Sequence, residues 1–156
     1  LDEPTFGVDP ISRRDLWLIL EEMVSQGVAV LVSTAYMDEA ERCDHVALLD
    51  KGRIVAMDTP SALQDSMRGQ IVSLRASDPR RAVEALRTLP AVRRATLFGD
   101  TIHVVMNAGT WNRERFDAAL AAAGVMASEV QEVDASLEDV FIEQVASDGS
   151  GTGVRS

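Results

Sequence analysis

The sequence predicts a mixed α/β segment followed by a small α+β domain. Three observations carry this. A continuous β-branched run, Val28–Ser33, lies between helix-patterned stretches, as in a strand buried within a parallel sheet. Beyond Gly69 several short runs alternate polar and apolar residues, separated by turn residues. Hydrophobic residues make up 46% of the 156, enough for a core, yet no apolar stretch approaches the ~18 residues that cross a bilayer.

In the first half, Asp9-Pro10 has the form of an N-cap followed by proline at the first helical position. A helix is predicted over 11–25, with Leu16, Ile19, Leu20 and Met23 as its apolar stripe. Gln26-Gly27 ends it before the 28–33 strand. Thr34-Ala35-Tyr36 turns into a short acidic helix over 37–43, whose Asp38, Glu39 and Glu41 suit the positive end of its dipole. His45–Leu49 and Ile54–Met57 read as strands joined by the turn Asp50-Lys51-Gly52-Arg53. Thr59-Pro60 caps a last short helix to about Met67. The pattern is a strand-helix-strand half.

The boundary is placed at Arg68-Gly69, giving a first domain over 1–69, a second over 70–146 and a disordered Gly/Ser-rich tail over 147–156. Strands are predicted over 70–76, 92–98, 101–106 and within 125–133. Helices follow Asp78-Pro79 and Trp111, the second ended by Gly124. The order is strand-helix-strand-strand-helix-strand, the ferredoxin-like split pattern. Ser136-Leu137-Glu138-Asp139 reads as a capping box with Asp for Glu, opening a final helix. Arg80-Arg81 and Arg93-Arg94 read as solvated faces, and His45 and His103 as surface or strand-edge histidines. This half shows no catalytic constellation.

Net charge is −10, which argues against nucleic acid as a partner, because phosphate backbones demand Lys and Arg. The single Cys43 excludes an intrachain disulfide and fits a reducing compartment. The chemistry-bearing stretch is Leu1–Pro10: an apolar residue, the adjacent acids Asp2 and Glu3, a turn rich in Pro and Gly, and Asp9 before Pro10. Paired acids at a strand end suit a metal-phosphate site, one holding Mg²⁺ while the other orients or deprotonates water.

The decapeptide closely resembles the Walker B segment and D-loop of ATP-binding cassette (ABC) ATPases, with Val8 where Leu is usual. The resemblance continues through Ser33-Thr34, Met37-Asp38-Glu39-Ala40-Glu41, Cys43-Asp44, Gly52 and Thr59-Pro60. It implies the C-terminal part of a P-loop NTPase (ABC ATPase) domain, with ATP and Mg²⁺ as cofactors. It also implies roles: Asp2 as the magnesium-coordinating acid, Glu3 as the general base, and Asp9 facing a second ATPase domain across a dimer interface. Ala35 occupies the position of the family's switch histidine, and a methyl group cannot reach for a γ-phosphate as an imidazole does. The phosphate loop G-x-x-x-x-G-K-[S/T] and a Ser-Gly-Gly-type signature are absent from these residues. The chain is therefore read as the C-terminal part of a longer protein, inactive when taken alone.

Ser136–Ile142 resembles the C-terminal signature of the small domain appended to ABC-2-type ATPase subunits, with Leu137, Val140 and Phe141 on its packing face. The resemblance as a whole implies an ATPase subunit powering a separate membrane permease, peripheral at the cytoplasmic face of the cell membrane, in an exporter. A second reading stands beside it: a catalytically degenerate or regulatory ABC module, including a ribosome-associated ATPase. Ala35 favours degeneracy; the acidic charge and the small second domain favour the transporter.

Overall fold

Helix α1, Pro10–Ser25, begins where the sequence places it, because Asp9 Oδ1 accepts from the N–H groups of Ile11 and Ser12 at 3.0 and 3.1 Å. The structure, a computed structural model, describes residues 1–149, with side chains described through Ala146. It is mixed α/β with antiparallel sheets and divides between Pro60 and Ser61 into two units.

In the first unit, α1 buries Trp17 and Leu20 and half-buries Leu16, while Ile19 and Met23 of the expected stripe are exposed. The helix meets its own unit through the face carrying Trp17 and Leu20; at about 100° per residue, Ile19 lies across the axis from Trp17. The 28–33 run does not form a strand. Its pairing is an isolated parallel bridge, Asp2↔Ser33, flanked by Leu1 N–H₃⁺ to Leu31 O at 2.7 Å and Ser33 N–H to Leu1 O at 2.9 Å. An apolar segment becomes a ladder only where partners line its edges, and among the described residues it is Leu1–Glu3 that pairs with this one. Leu31 is accordingly 86% exposed. The short helix α2 spans Met37–Ala40. Strands β1 (Val46–Asp50) and β2 (Arg53–Asp58) form an antiparallel hairpin. Its two turn residues, Lys51 and Gly52, both have positive φ, the pairing a tight hairpin needs. Val46 and Leu48 point inward from β1.

Helix α3 (Pro60–Asp65) follows. The second unit then lays down β3 (Gln70–Ala76), α4 (Pro79–Arg87), β4 (Val92–Phe98), β5 (Thr101–Met106), α5 (Arg113–Ala122), β6 (Ala127–Val133) and α6 (Leu137–Gly149). The four strands form one antiparallel sheet in the order β4-β5-β3-β6. Period-two alternation sorts its faces. Val72, Leu74, Ala95, Ile102, Val104 and Met106 join Ala82 and Leu86 of α4 and Phe116 and Leu120 of α5 in one core. Asp78 and Asn112 cap those two helices through their side chains.

On the other face, His103 of β5 meets α6. The predicted capping box closes: Asp139 N–H donates to Ser136 Oγ at 3.2 Å, and Ser136 N–H donates to Asp139 Oδ2 at 3.1 Å. Leu137 and Val140 are fully buried and Phe141 is half-buried. Asp139 is buried too, its Oδ2 also 2.9 Å from His103 Nδ1. Arg93 and Arg94, expected to be solvated, both pair with Glu143, and Arg94 also donates to Asp139 O at 3.2 Å. Arg94 thus holds α6 from a half-buried position, whereas Arg93 keeps the exposed face expected of it while also reaching Glu143. Of the tail expected to be disordered, residues 150–156 lie outside the described residues.

Candidate functional site

The acidic pair is placed by the short parallel pairing of Leu1–Glu3 with residues 31–33. Asp2 registers with Ser33, and the Ser33 hydroxyl donates to Asp2 Oδ1. Glu3 N–H donates to Ser33 O at 3.0 Å, with Ser33 Oγ at 3.2 Å. The chain then turns sharply: Glu3 has φ 43°, the left-handed region that side chains larger than glycine seldom adopt. That turn brings its carboxylate back to the 33–35 segment, where Ala35 N–H donates to Oε2 at 3.2 Å.

The structure therefore brings Asp2, Glu3, Ser33 and Ala35 together. Asp2 is exposed and Glu3 half-buried. Two hard carboxylate donors at the surface fit Mg²⁺, which keeps several waters and takes one or two carboxylates alongside phosphate oxygens. Among the described residues, no group of three or more His, Cys, Asp or Glu side chains is arranged to hold a metal ion.

Asp9 is not drawn into this cluster. It is exposed, and its carboxylate caps α1. Its pKa lies below the usual Asp value because Ser12, through side chain and backbone, and the Ile11 N–H bond the ionised form, outweighing slight desolvation. Exposed His45 sits at the entry to β1.

Two residues have a larger part than their sequence suggests. Glu39, assigned above to the dipole of α2, is 1% exposed. Its Oε2 accepts from Thr5 Oγ1 and Thr34 Oγ1, both at 2.9 Å. Its Oε1 lies 3.4 Å from Arg13 Nε, close enough for charge pairing, though neither atom is aligned for a hydrogen bond. Thr5, in the turn that follows the acidic pair, is fully buried. In the sequence Glu39 is one acid of several in an acidic stretch, and nothing local distinguishes the desolvated one.

No family model matches the chain. Curated relatives do. It is 32% identical over 154 residues to the Probable multidrug ABC transporter ATP-binding protein YbhF of Escherichia coli (strain K12), a match covering 97% of this chain and 26% of that protein. It is 34% identical over 146 residues to the Daunorubicin/doxorubicin resistance ATP-binding protein DrrA of Streptomyces peucetius, covering 91% and 44%. The Nod factor export ATP-binding protein I of Rhizobium sp. (strain N33) is 31% identical over 144 residues, covering 91% and 45%. The chain spans between about a quarter and a half of the length of these relatives.

An acidic pair beside a serine-bearing segment of a mixed α/β unit carries the donor types that metal-phosphate sites use. The chain belongs to the family of ABC transporter ATP-binding proteins. Among its described residues no helix is long and apolar enough to cross a membrane.

Proposed function

We propose that this chain is the C-terminal part of the ATP-hydrolysing subunit of an ABC transporter, of the ABC-2 exporter type. The subunit would work at the cytoplasmic face of the membrane, paired with a second ATPase domain and driving a separate permease. The observation that carries the reading is the juxtaposition of Asp2 and Glu3 with the 33–35 segment, in a chain whose relatives are named as ATP-binding proteins of a multidrug ABC transporter, of drug resistance and of Nod factor export.

In this reading Asp2 holds Mg²⁺, directly or through water, with its carboxylate oriented by the Ser33 hydroxyl. The ion, when bound, neutralises charge developing on the transferred phosphoryl group. Glu3 accepts a proton from the attacking water; its carboxylate is aimed by the Ala35 N–H. Asp9 faces the partner domain from the start of α1. The second unit serves as a ferredoxin-like accessory domain. Its βαββαβ order and β4-β5-β3-β6 sheet support this, as does the Ser136–Ile142 segment packing α6 against the sheet.

One observation favours a second reading, a catalytically degenerate or regulatory module. Ala35 offers a backbone N–H but no side-chain group for a γ-phosphate. Magnesium-dependent ATP turnover by the complete subunit, measured with and without its permease, separates the two. Turnover stimulated by the permease supports the exporter. Tight nucleotide binding without turnover supports the degenerate module.

A further inference from the structure

We propose that Glu39 is a positioning residue for Glu3, locking the turn that carries the acidic pair to the loop that carries Ala35. The inference rests on the functional reading just given and extends it to a side chain that contacts neither acid.

A carboxylate at 1% exposure is costly unless its charge is compensated. Glu39 meets that cost with groups from three other segments. Thr5 comes from the turn two residues after Glu3, Thr34 from the loop one residue before Ala35, and Arg13 from α1. The loop is tied further. Tyr36 N–H donates to Thr34 Oγ1 at 3.1 Å, and the Arg13 guanidinium stacks 4.3 Å above the Tyr36 ring.

Glu3 lies between these anchors. Its N–H is held by Ser33 and its carboxylate by Ala35, both beside Thr34. Its φ of 43° is a conformation that persists only where surrounding contacts over-determine it. Glu39 supplies those contacts on both sides, through Thr5 and Thr34. Without it, the turn and the loop are joined only by the contacts of Leu1–Glu3 with residues 31–35, and Glu3 is aimed less tightly while the groups that bind nucleotide elsewhere in the subunit stay in place.

The test uses Glu39→Gln, Thr5→Val and Thr34→Val in the complete subunit. Hydrogen exchange is followed in peptides covering 1–6 and 33–36, alongside kcat and the Kd for a non-hydrolysable ATP analogue. With Glu39→Gln, both peptides lose protection together, and kcat falls about tenfold while Kd stays within about twofold, a geometry loss rather than a binding loss. Thr5→Ser and Thr34→Ser, which retain the hydroxyl, restore kcat where the valines lower it. The proposal is overturned if only one peptide or neither loosens, or if kcat and Kd shift in parallel. Should Glu39→Gln fail to fold, the Val and Ser pairs decide. A wild-type subunit that hydrolyses no ATP would defeat the functional reading, and the exchange data would still decide the coupling.

Discussion

The main-chain N–H of Ala35 donates to Glu3 Oε2 at 3.2 Å. The residue standing where the family resemblance calls for histidine thus meets the proposed base through its backbone, which any residue but proline would supply. What alanine lacks is only the imidazole. Aiming the base and engaging the phosphate are therefore separable, and two substitutions address them one at a time.

Glu3→Gln in the complete subunit removes the proton acceptor but keeps a group able to accept from Ala35 N–H. Turnover is expected to fall at least about 100-fold, within the range general-base removal produces. Nucleotide affinity is expected to hold, with a closed dimer accumulating in the presence of ATP. Steady-state hydrolysis and size-exclusion chromatography check both; near wild-type turnover would remove Glu3 from the proposed role.

Ala35→His retains the backbone N–H and adds a hydrogen-bonding ring. ATP turnover in the complete subunit is expected to rise at least about tenfold, the scale of one positioned group at a phosphoryl-transfer site. An unchanged rate would mean that another group already fills the role.

Gly69 enters β3 with φ 111°, and a Cβ there would sit 2.2 Å from Met106 O, a backbone atom of the neighbouring β5. Gly69→Ala has to move the strand start or the sheet. A cost of about 1–3 kcal/mol is expected from the backbone conformation, with the clash adding to it. Denaturant unfolding of the second unit, followed through Trp111 packed edge-on against Phe116, measures it. A midpoint equal to wild type would show that the sheet yields freely.

Burial by itself would raise the Asp139 pKa. The hydrogen bonds from His103, then from the Ser136 hydroxyl and N–H, outweigh it, so the net shift is downward. The sign follows. A carboxylate whose folded pKa is depressed contributes stability that is present above its unfolded value, near 3.8, and is lost as pH falls through the folded value. Protection of the α6 amides, taken relative to their intrinsic exchange rates at each pH, should therefore fall below about pH 4, and Asp139→Asn should flatten that dependence. At neutral pH the same substitution should destabilise the second unit by about 1–3 kcal/mol, the cost of disturbing a buried hydrogen-bonded charge. Identical pH profiles would detach Asp139 from the docking of α6.

Much of the second unit is legible in the sequence, because its signals act over a few residues. Asp78-Pro79 and Ser136-x-x-Asp139 announce helix starts that the structure closes with the hydrogen bonds those side chains can make. Period-two runs lie in β3 and β5. Arg93, Arg94 and His103 were illegible because their partners, Glu143 and Asp139, lie some 36 to 50 residues away on α6. The Val28–Ser33 run misled for the converse reason: composition declares a strand buried on both faces, but a ladder needs neighbours, and among the described residues its partner is the short Leu1–Glu3 segment.

The sequence by itself determined where the chain turns, which helices are capped, that an acidic pair precedes a Pro/Gly turn, and which family these residues resemble. Tertiary structure alone decided that Ser33 and Ala35 bracket the pair, and that one acid of an acidic stretch, Glu39, leaves water to bind Thr5 and Thr34. The physical reason is range. Caps and periodicity are settled between neighbours a turn or two apart, whereas desolvation of a charge depends on which distant segments close over it.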